Sequence, residues 1–334
     1  MPLRRRSPFG KFPVTRNWQI IIPVFNPPAG LLENLEKLEA ASPGSIARMV
    51  MVDDGSTNDI PRQAEERFSG LTRLQGDGSL WWCGAMRMGM SHALANGAEV
   101  VVWLNHDCVP VANTLEQLVE TAAEKGNGAV SAWCFSAEAP EFPVNPGFRD
   151  LKEIPVKELR IHPMVAVHGV NGNCVALNAG AIRAVGLPDA GKHPHYGDGP
   201  YTFKLHQAGY RTLIVTGARA ALEREYDRCV SVTWRCAFWP ASLADKLRYY
   251  FFSRKSKFHW RIKYHDTVAF RGYLLGPIGY AAAMARAFME ICRGHWMRSK
   301  LDQEQRLRLV CAAYQGQFPR NGLIESLLKL DDGK

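Results

Sequence analysis

The sequence predicts an α/β fold with a mixed, mainly parallel, Rossmann-like sheet that carries helices on both faces. Three short apolar runs, at residues 18–26, 46–57 and 100–110, end abruptly in polar residues, which is typical of buried parallel strands. Between the first two runs, residues 31–41 repeat leucine at helical spacing and predict an amphipathic helix. Strand, helix and strand in this order predict a right-handed βαβ unit, whose strands end at one edge of the sheet.

The run at residues 100–104 is followed by Asn105, His106 and Asp107. In open α/β sheets, ligands bind at the carboxyl ends of the strands. A carboxylate there, beside a second polar side chain, can hold a divalent cation against phosphate oxygens. The alternative is an ordinary polar turn after a strand, and this motif taken alone favours the turn.

The remaining elements of the sheet are predicted from periodicity and turn signals. Residues 136–163 are rich in Pro and Glu and predict a long surface loop, and residues 165–177 predict two short strands about a Gly/Asn turn. Residues 211–221 predict one or two edge strands. Further strands are predicted at 71–75 and 128–135, and further helices at 85–95, 111–125 and 179–185.

Length and composition limit the function classes. The chain has 334 residues, of which 46% are hydrophobic, so it can form one large domain or one domain with an appendage. Its net charge of +9 indicates a polyanionic partner, either nucleic acid or an anionic membrane surface. The eight cysteines include no CxxC pair, which argues against structural zinc and suits a reducing cytoplasm.

The amino-terminal stretch, residues 1–16, is basic and contains three prolines, which predicts a disordered arm. It has no apolar core of the kind found in secretory signals. No run of 18 uncharged apolar residues occurs in the sequence, so we expect no transmembrane helix and a cytoplasmic location.

Together, the three strand ends resemble the family 2 glycosyltransferases, nucleotide-sugar enzymes of the GT-A fold. That family has an IPxYN-like first strand, a VDDGS second strand end and a DXD-type metal motif. The corresponding segments are Ile22-Pro23-Val24-Phe25-Asn26, Val52-Asp53-Asp54-Gly55-Ser56 and Asn105-His106-Asp107. Asn105 replaces the first acid of DXD, and the resemblance implies that Mg²⁺ or Mn²⁺ binds the last acid, Asp107.

The resemblance also implies a nucleotide-sugar site. Its predicted residues are Pro23, Phe25, Asn26, Asp54, Gly84, Arg87 and Asn105. Asp54 would accept a hydrogen bond from the base, and Asn105 would contact the ribose. Alternatively, Asp53, Asp54 or Ser56 caps the next helix. Arg87 pairs with a diphosphate or simply covers the helix surface.

The segment Leu80-Trp81-Trp82 is similar to that of a rhamnosyltransferase-like subgroup of the family. Trp81 and Trp82 have two possible roles, since an indole ring can stack on a sugar or base or pack in the core.

Residues 193–211 resemble the family helix that begins with the catalytic base, which implies that Asp198 is the base. Pro200 and Tyr201 stand where a second acid is common. The alternative role of Asp198 is a helix N-cap, and His195 and His193 are the alternative bases. We expect Asp198 to stay ionised at a helix N-terminus, and we place Gly172, Asn173 and His195 on the acceptor side.

The C-terminal third has a different composition. Residues 246–263 contain seven Lys/Arg and no Asp/Glu, interleaved with aromatic residues. Residues 268–291 are apolar but broken by Arg271, Arg286 and Gly276-Pro277. This pattern favours a helical segment in the membrane interface, and the alternative is a helical subdomain packed on the catalytic domain.

We therefore predict a basic arm at 1–16, a GT-A domain at 17–235 and a helical, membrane-apposed segment at 236–334. The expected function is inverting transfer of a sugar to a saccharide or lipid-linked acceptor in cell-surface polysaccharide synthesis, at the inner face of the cell membrane. The alternatives are a non-catalytic nucleotide-sugar-binding scaffold and a basic nucleic-acid-binding protein. No strand is followed by GxGxxG, and no GxxxxGK[ST] occurs, which argues against a nicotinamide enzyme and a P-loop NTPase.

Overall fold

The structure is a computed structural model that describes residues 16–138, 140, 143–144, 146–222, 230–315, 317 and 320–331. The predicted basic arm, apart from Arg16, lies outside the described residues, and so does Cys229.

The described part of the chain forms one nine-stranded sheet and a separate two-stranded hairpin. The strands of the large sheet are β1 Trp18–Val24, β2 Met49–Asp53, β3 Thr72–Gln75, β4 Val100–Leu104, β5 Cys108–Pro110, β6 Asn127–Ser136, β9 Met164–Val167, β10 Cys174–Asn178 and β11 Arg211–Leu222. Their order in the sheet is β3-β2-β1-β4-β10-β6-β11-β5, with β9 paired to β11. The hairpin consists of β7 Phe148–Arg149 and β8 Lys152–Glu153.

Strands β3, β2, β1 and β4 are parallel neighbours, as the sequence predicted. Pro23 faces Val52 on β2, whereas the pairing of β1 with β4 stops at Ile21. Pro23 therefore interrupts no ladder on the β4 side, which explains why a residue without an N–H is tolerated in an interior strand. Strand β10 runs antiparallel to β4, so it begins at the edge where β4 ends.

Helices cover both faces of the sheet, which confirms the predicted fold class. Leucines of α1 and α4 pack on one face, and Met86, Met90 and Leu205 of α3 and α7 pack on the other. The helices of this region are α1 Gly30–Ala41, α2 Ile60–Arg67, α3 Trp81–Ala95, α4 Thr114–Ala123, α5 Val156–Ile161, α6 Ala179–Val185 and α7 Asp198–Gln207.

Helix α3 lies very close to the sheet at Gly89. A Cβ atom at this position would approach Ile21 Cγ2 to 2.3 Å and Val52 Cγ2 to 3.2 Å. Only glycine allows this approach, because the neighbouring atoms belong to buried strands. The contact fixes the height of α3 above β1 and β2.

Two predictions about loops and edges were wrong. Residues 136–163 are not a plain surface loop, since they contain the hairpin and α5, and Ile154 and Leu159 are buried. Strand β11 is not an edge strand, because it pairs with β6, β9 and β5. The partners of β11 are far away in the sequence, so its own residues give no sign of them.

The C-terminal helices are α8 Val232–Phe238, α9 Leu243–Phe252, α10 Trp260–Lys300, α11 Gln303–Ala313 and α12 Arg320–Asp331. They bury two small apolar clusters of their own, around Phe238 and around Ile291. Gly294 of α10 lies against α8, where a Cβ would meet the Thr233 carbonyl oxygen at 2.2 Å. Because α8 spans residue 235 and packs with α10, the domain boundary at that residue stays a prediction.

Lys246 is one of the seven cations of the basic stretch at residues 246–263, but it does not face solvent or a membrane surface. Its side chain is fully buried, and Nζ donates a hydrogen bond to the Cys236 carbonyl at 2.9 Å. Burial lowers the pKa of Lys246 below its usual value. This lysine therefore serves the packing of α9 on α8.

Helix α10 is bent at Gly272, where φ is +73°. Residues 273–278 after the bend are mostly exposed and apolar. Within the described residues, no helix is both long enough and apolar enough to cross a bilayer.

Candidate active site

The polar ends of β1, β2 and β4 lie at one edge of the sheet, as their parallel register requires. Asn26 binds the segment after β2, because its Oδ1 accepts hydrogen bonds from the Thr57 N–H at 2.7 Å and from the Asn58 N–H. Its own N–H donates to Ser56 Oγ at 2.9 Å. Asn26 adopts φ +47°, a conformation that asparagine tolerates better than most residues. Phe25 beside it is 59% exposed and presents its ring to solvent.

The two carboxylates of the VDDGS motif have separate partners. Asp53 is buried, accepts the Ser56 N–H at 2.9 Å and pairs with Arg73 at 2.6 Å. Burial by itself raises the pKa of Asp53, but the hydrogen bonds from Ser56 and Arg73 outweigh it and lower the pKa. Asp53 thus supports the strand end and not a ligand.

Asp54 organises the loop that leads into α3. Its Oδ1 accepts the N–H groups of Gly78 at 2.9 Å and Leu80 at 3.1 Å, and its Oδ2 accepts the Trp81 N–H at 2.8 Å. A carboxylate has about four lone-pair positions, so one position on Oδ2 remains for a ligand. The proposed contact to the base therefore stays a prediction, and Asp54 has a structural role beside it.

Trp81 is held in a strained conformation by these contacts. Its φ is +58°, which is unusual for a bulky residue and costs on the order of 1–3 kcal/mol. Its ring packs edge-on against His195, with 4.6 Å between ring centroids. Trp81 and Trp82 are both only half-buried, so neither is purely a core residue.

A chain of side-chain hydrogen bonds joins α3, β4 and β10. Trp82 Nε1 donates to Asn105 Oδ1 at 2.9 Å, and Asn105 Nδ2 donates to Asn173 Oδ1 at 3.1 Å. The indole nitrogen can only donate, so it fixes which way the Asn105 amide points. The carbonyl oxygen that we expected to meet a ribose already has one partner.

Asp198 is the first residue of α7, and the N-cap is Gly197, which corrects the N-cap alternative. Its Oδ2 accepts the Gly172 N–H at 2.7 Å. A side chain at Gly172 would collide with the Trp82 ring at 2.4 Å, so glycine is required there. Asp198 therefore lies beside the network of Trp82, Asn105 and Asn173.

The surroundings of Asp198 raise its pKa above the usual value of a carboxyl group. Burial is the main cause, and the N–H groups of Gly172 and Gly199 oppose it. The negative charge of Asp266 adds to the rise. We expected no neighbouring carboxylate, because Pro200 and Tyr201 occupy the usual positions, but α10 supplies one from a distant part of the chain.

Asp266 is a site residue that the sequence did not predict. Its Oδ1 lies 2.8 Å from Nδ1 of His193, and both side chains are largely buried. A proton on Nδ1 makes this contact a hydrogen bond that ties α10 to the loop before α7. No local motif marks Asp266, and its isolated acidic character within a basic stretch was the only available signal.

Gly84 and Arg87 lie away from this network, on the outer side of α3. They line a cavity of about 850 Å³ together with the segment between α9 and α10. Gly84 faces Ala190 across this cavity wall, and the Arg87 guanidinium donates to the Pro188 carbonyl at 3.3 Å. Both predicted donor residues thus line this cavity, and their role in donor binding stays a prediction.

Asp107 follows β4 and is half-buried, as predicted. Among the described residues, no three His, Cys, Asp or Glu side chains form a group that could hold a metal ion. A single carboxylate fits Mg²⁺ or Mn²⁺ only if substrate phosphates and water supply the remaining ligands.

The protein belongs to glycosyl transferase family 2. The model of this family matches residues 19–230, more than half of the chain. The family and the fold define the protein as a glycosyltransferase of the GT-A type. The rhamnosyltransferase-like subgroup stays a prediction, and no curated protein matches the chain.

Two solved structures are similar in fold. One is "Mannosyltransferase PcManGT from Pyrobaculum calidifontis in complex with GDP-Man and Mn2+", with a TM-score of 0.53 and 17% identity over 95% of this chain and 88% of that one. The other is GalNAc-T7 with UDP, GalNAc and Mn²⁺, with a TM-score of 0.51 and 13% identity over 90% of this chain and 58% of that one. At these identities the likeness shows the fold alone.

The contacts of Asp54 predict a loss of stability in Asp54→Ala. Three N–H groups lose their acceptor, and we expect the free energy of unfolding in urea to fall by roughly 1–3 kcal/mol. The matched control is Asp77→Ala in the same loop, which removes an exposed carboxylate that binds only Ser79. That variant should stay within about 0.5 kcal/mol of the wild type. Equal losses in both variants would contradict the structural role of Asp54.

Proposed function

We propose that the protein is an inverting glycosyltransferase that moves a sugar from a nucleotide-sugar donor to a saccharide or lipid-linked acceptor. The process it serves would be cell-surface polysaccharide synthesis. One observation carries the proposal: Asp198 binds Gly172, next to Asn173, which is hydrogen-bonded to Asn105 two residues before Asp107. The two carboxylates that we propose as proton acceptor and metal ligand thus belong to one edge of the sheet.

Asp198 is the proposed general base. Its raised pKa brings it closer to the working pH, which favours proton transfer from an acceptor hydroxyl. The Gly172 N–H holds Oδ2, so the carboxylate has a fixed orientation. Gly172, Asn173 and His195 would line the acceptor side, where His195 is held against Trp81.

The donor would occupy the ends of β1, β2 and β4. Pro23, Phe25, Asn26 and Asp54 would hold the nucleotide, and Asp107 would hold Mg²⁺ or Mn²⁺. When bound, such a cation neutralises the charge that develops on the leaving diphosphate. The GDP-Man, UDP and Mn²⁺ in the two similar structures support a nucleotide-sugar donor and a divalent cation, and the residues that bind them are our proposal.

The bend of α10 supports a membrane-facing surface. Tyr273 and Leu274 are 85% and 89% exposed, and Leu275 and Ile278 are exposed beside them. We call these four residues the apolar tip. Exposed apolar patches next to cations are typical of membrane-interface segments, and Arg271 lies directly before the tip. We therefore place the protein at the inner face of the cell membrane.

Asp198→Asn tests the base. The substitution keeps the shape and the hydrogen bond from Gly172 but removes the proton acceptor, so kcat should fall roughly 10²–10⁴-fold with donor affinity unchanged. His195→Gln is the matched comparison, since His195 lies three residues before Asp198. If Asp198→Asn turns over normally while His195→Gln is inactive, the histidine is the base.

The same variant has a predicted effect on stability. Because the folded protein holds the Asp198 proton more tightly than the unfolded chain, stability falls as pH rises through the folded pKa. Asp198→Asn should therefore melt at a higher temperature than the wild type at neutral pH. This gain in melting temperature should vanish below about pH 3.9, which is the pKa of an aspartate in an unfolded chain. An unchanged difference across this range would contradict the raised pKa.

The apolar tip predicts binding to anionic vesicles. Leu274→Glu with Leu275→Glu should abolish co-sedimentation with phosphatidylglycerol vesicles at low salt, since apolar contact is lost and the added negative charges are repelled by the anionic surface. The control is Met289→Glu, an exposed apolar residue further along α10 whose exposure is close to that of Leu275. Equal effects of both changes, or no vesicle binding by the wild type, would contradict this surface.

A further inference from the structure

The cavity on the outer side of α3 is lined by none of the residues that would hold the donor at the ends of β1, β2 and β4. It lies between α3, the loop before α7 and the segment joining α9 to α10. Trp81 forms part of its wall, and the Cys83 N–H donates to the Pro194 carbonyl at 2.9 Å, which closes the wall toward His195. The cavity and the candidate active site are therefore neighbours that share a wall.

The cavity is strongly cationic. Arg87, Lys192, Arg254 and Arg261 line it, and none of the lining residues is acidic. Lys192 pairs with Asp189 at 3.0 Å. Within the described residues, no carboxylate forms an ion pair with any of the three arginines. Three uncompensated guanidinium groups around one space favour a ligand with more than one negative charge.

The cavity also has apolar walls. Leu80, Met88 and Ile262 line it, together with the rings of Trp81 and Trp260. A guanidinium group binds phosphate oxygens through two parallel hydrogen bonds, whereas indole and aliphatic groups bind apolar surface. The lining as a whole fits an amphiphilic ligand that carries a phosphate or diphosphate.

The position of the cavity relates it to the apolar tip. Trp260, Arg261 and Ile262 form the first turn of α10, and the bend at Gly272 lies twelve residues after Trp260. At 1.5 Å per residue, the helix between them is about 18 Å long. The same straight helix therefore joins the cavity to the surface that we place against the membrane.

We propose that this cavity binds the phosphate group of the acceptor, a phosphate or diphosphate ester of an apolar alcohol. This inference rests on the proposed function and names the acceptor class that the same enzyme takes. The phosphate of a phospholipid headgroup has the same chemistry, so the experiment must separate the two sources.

The probe is farnesyl diphosphate, titrated by calorimetry with EDTA present so that no metal-bound diphosphate forms at Asp107. The test variant carries both Arg254→Gln and Arg261→Gln. Each substitution should weaken the binding of farnesyl diphosphate at least tenfold, because the ligand loses charge-assisted hydrogen bonds to that arginine. The control is Lys255→Gln, which removes the same charge next to Arg254 from an exposed residue that does not line the cavity. The control should bind within twofold of the wild type.

Phosphatidylglycerol vesicles supply the second arm. Loss of farnesyl diphosphate binding with retained vesicle binding supports the acceptor phosphate. If the double variant loses only vesicle binding, the cavity binds a phospholipid headgroup, and the proposal that it binds the acceptor phosphate is wrong. Equal effects of the double variant and Lys255→Gln overturn the site altogether.

Donor binding with Mn²⁺ is measured on the same variants. If the double variant loses donor affinity in parallel, the cavity belongs to the donor site and the inference fails. If even the wild type binds no nucleotide-sugar, the proposed function fails, while the diphosphate result stands by itself.

Discussion

The carboxylate of Asp54 is the contact on which the candidate site depends. It binds three N–H groups of the loop before α3, including that of Trp81, whose left-handed backbone conformation needs such support. This sets where α3 begins. Trp82 then reaches Asn105 on one side of the helix, and Trp81 reaches His195 and the cavity on the other. A single strand-end carboxylate thus orients both the network beside Asp198 and the cavity wall.

A second constraint is the close contact between α3 and the sheet. Gly89 allows the helix to touch Ile21 and Val52, so the tryptophans lie at a fixed height above the ends of β1 and β4. Gly172 has the same role under Trp82. Glycine is needed at both positions because the neighbouring side chains leave no space for a methyl group.

The strand ends and the order of elements could be predicted from sequence, because buried strands and amphipathic helices have strong local periodicity. Asp198 at the start of α7 could also be predicted from its motif. The role of Asp54 in the loop could not be predicted, since its hydrogen-bond partners lie more than twenty residues away in the sequence. Asp266, Arg254 and Arg261 were missed as site residues for the same reason: only the packing of the C-terminal helices brings them beside α3 and the loop before α7.

The C-terminal helices form a packed helical subdomain, which was one of the two interpretations that the sequence left open, and the membrane interface stays a proposal. They pack on the catalytic domain through α10, by the His193–Asp266 contact and by the Phe270 ring against Phe148, and they also expose the apolar tip. The buried Lys246 shows that a cation in a basic stretch can serve packing, whereas its exposed neighbours remain available to anions. A helical subdomain and a membrane-facing surface are therefore compatible in one segment.

We propose that the sheet edge at Asp54 and Asp107 binds a nucleotide-sugar through a divalent cation. The most direct measurement is the melting temperature with UDP-, dTDP- and GDP-sugars and Mn²⁺, for the wild type and Asp107→Ala. At 100 times its Kd, a donor should add about 2.7 kcal/mol to the wild type, and Asp107→Ala should lose the Mn²⁺-dependent part of that gain. No stabilisation of the wild type by any donor, or an identical gain in Asp107→Ala, would contradict the account.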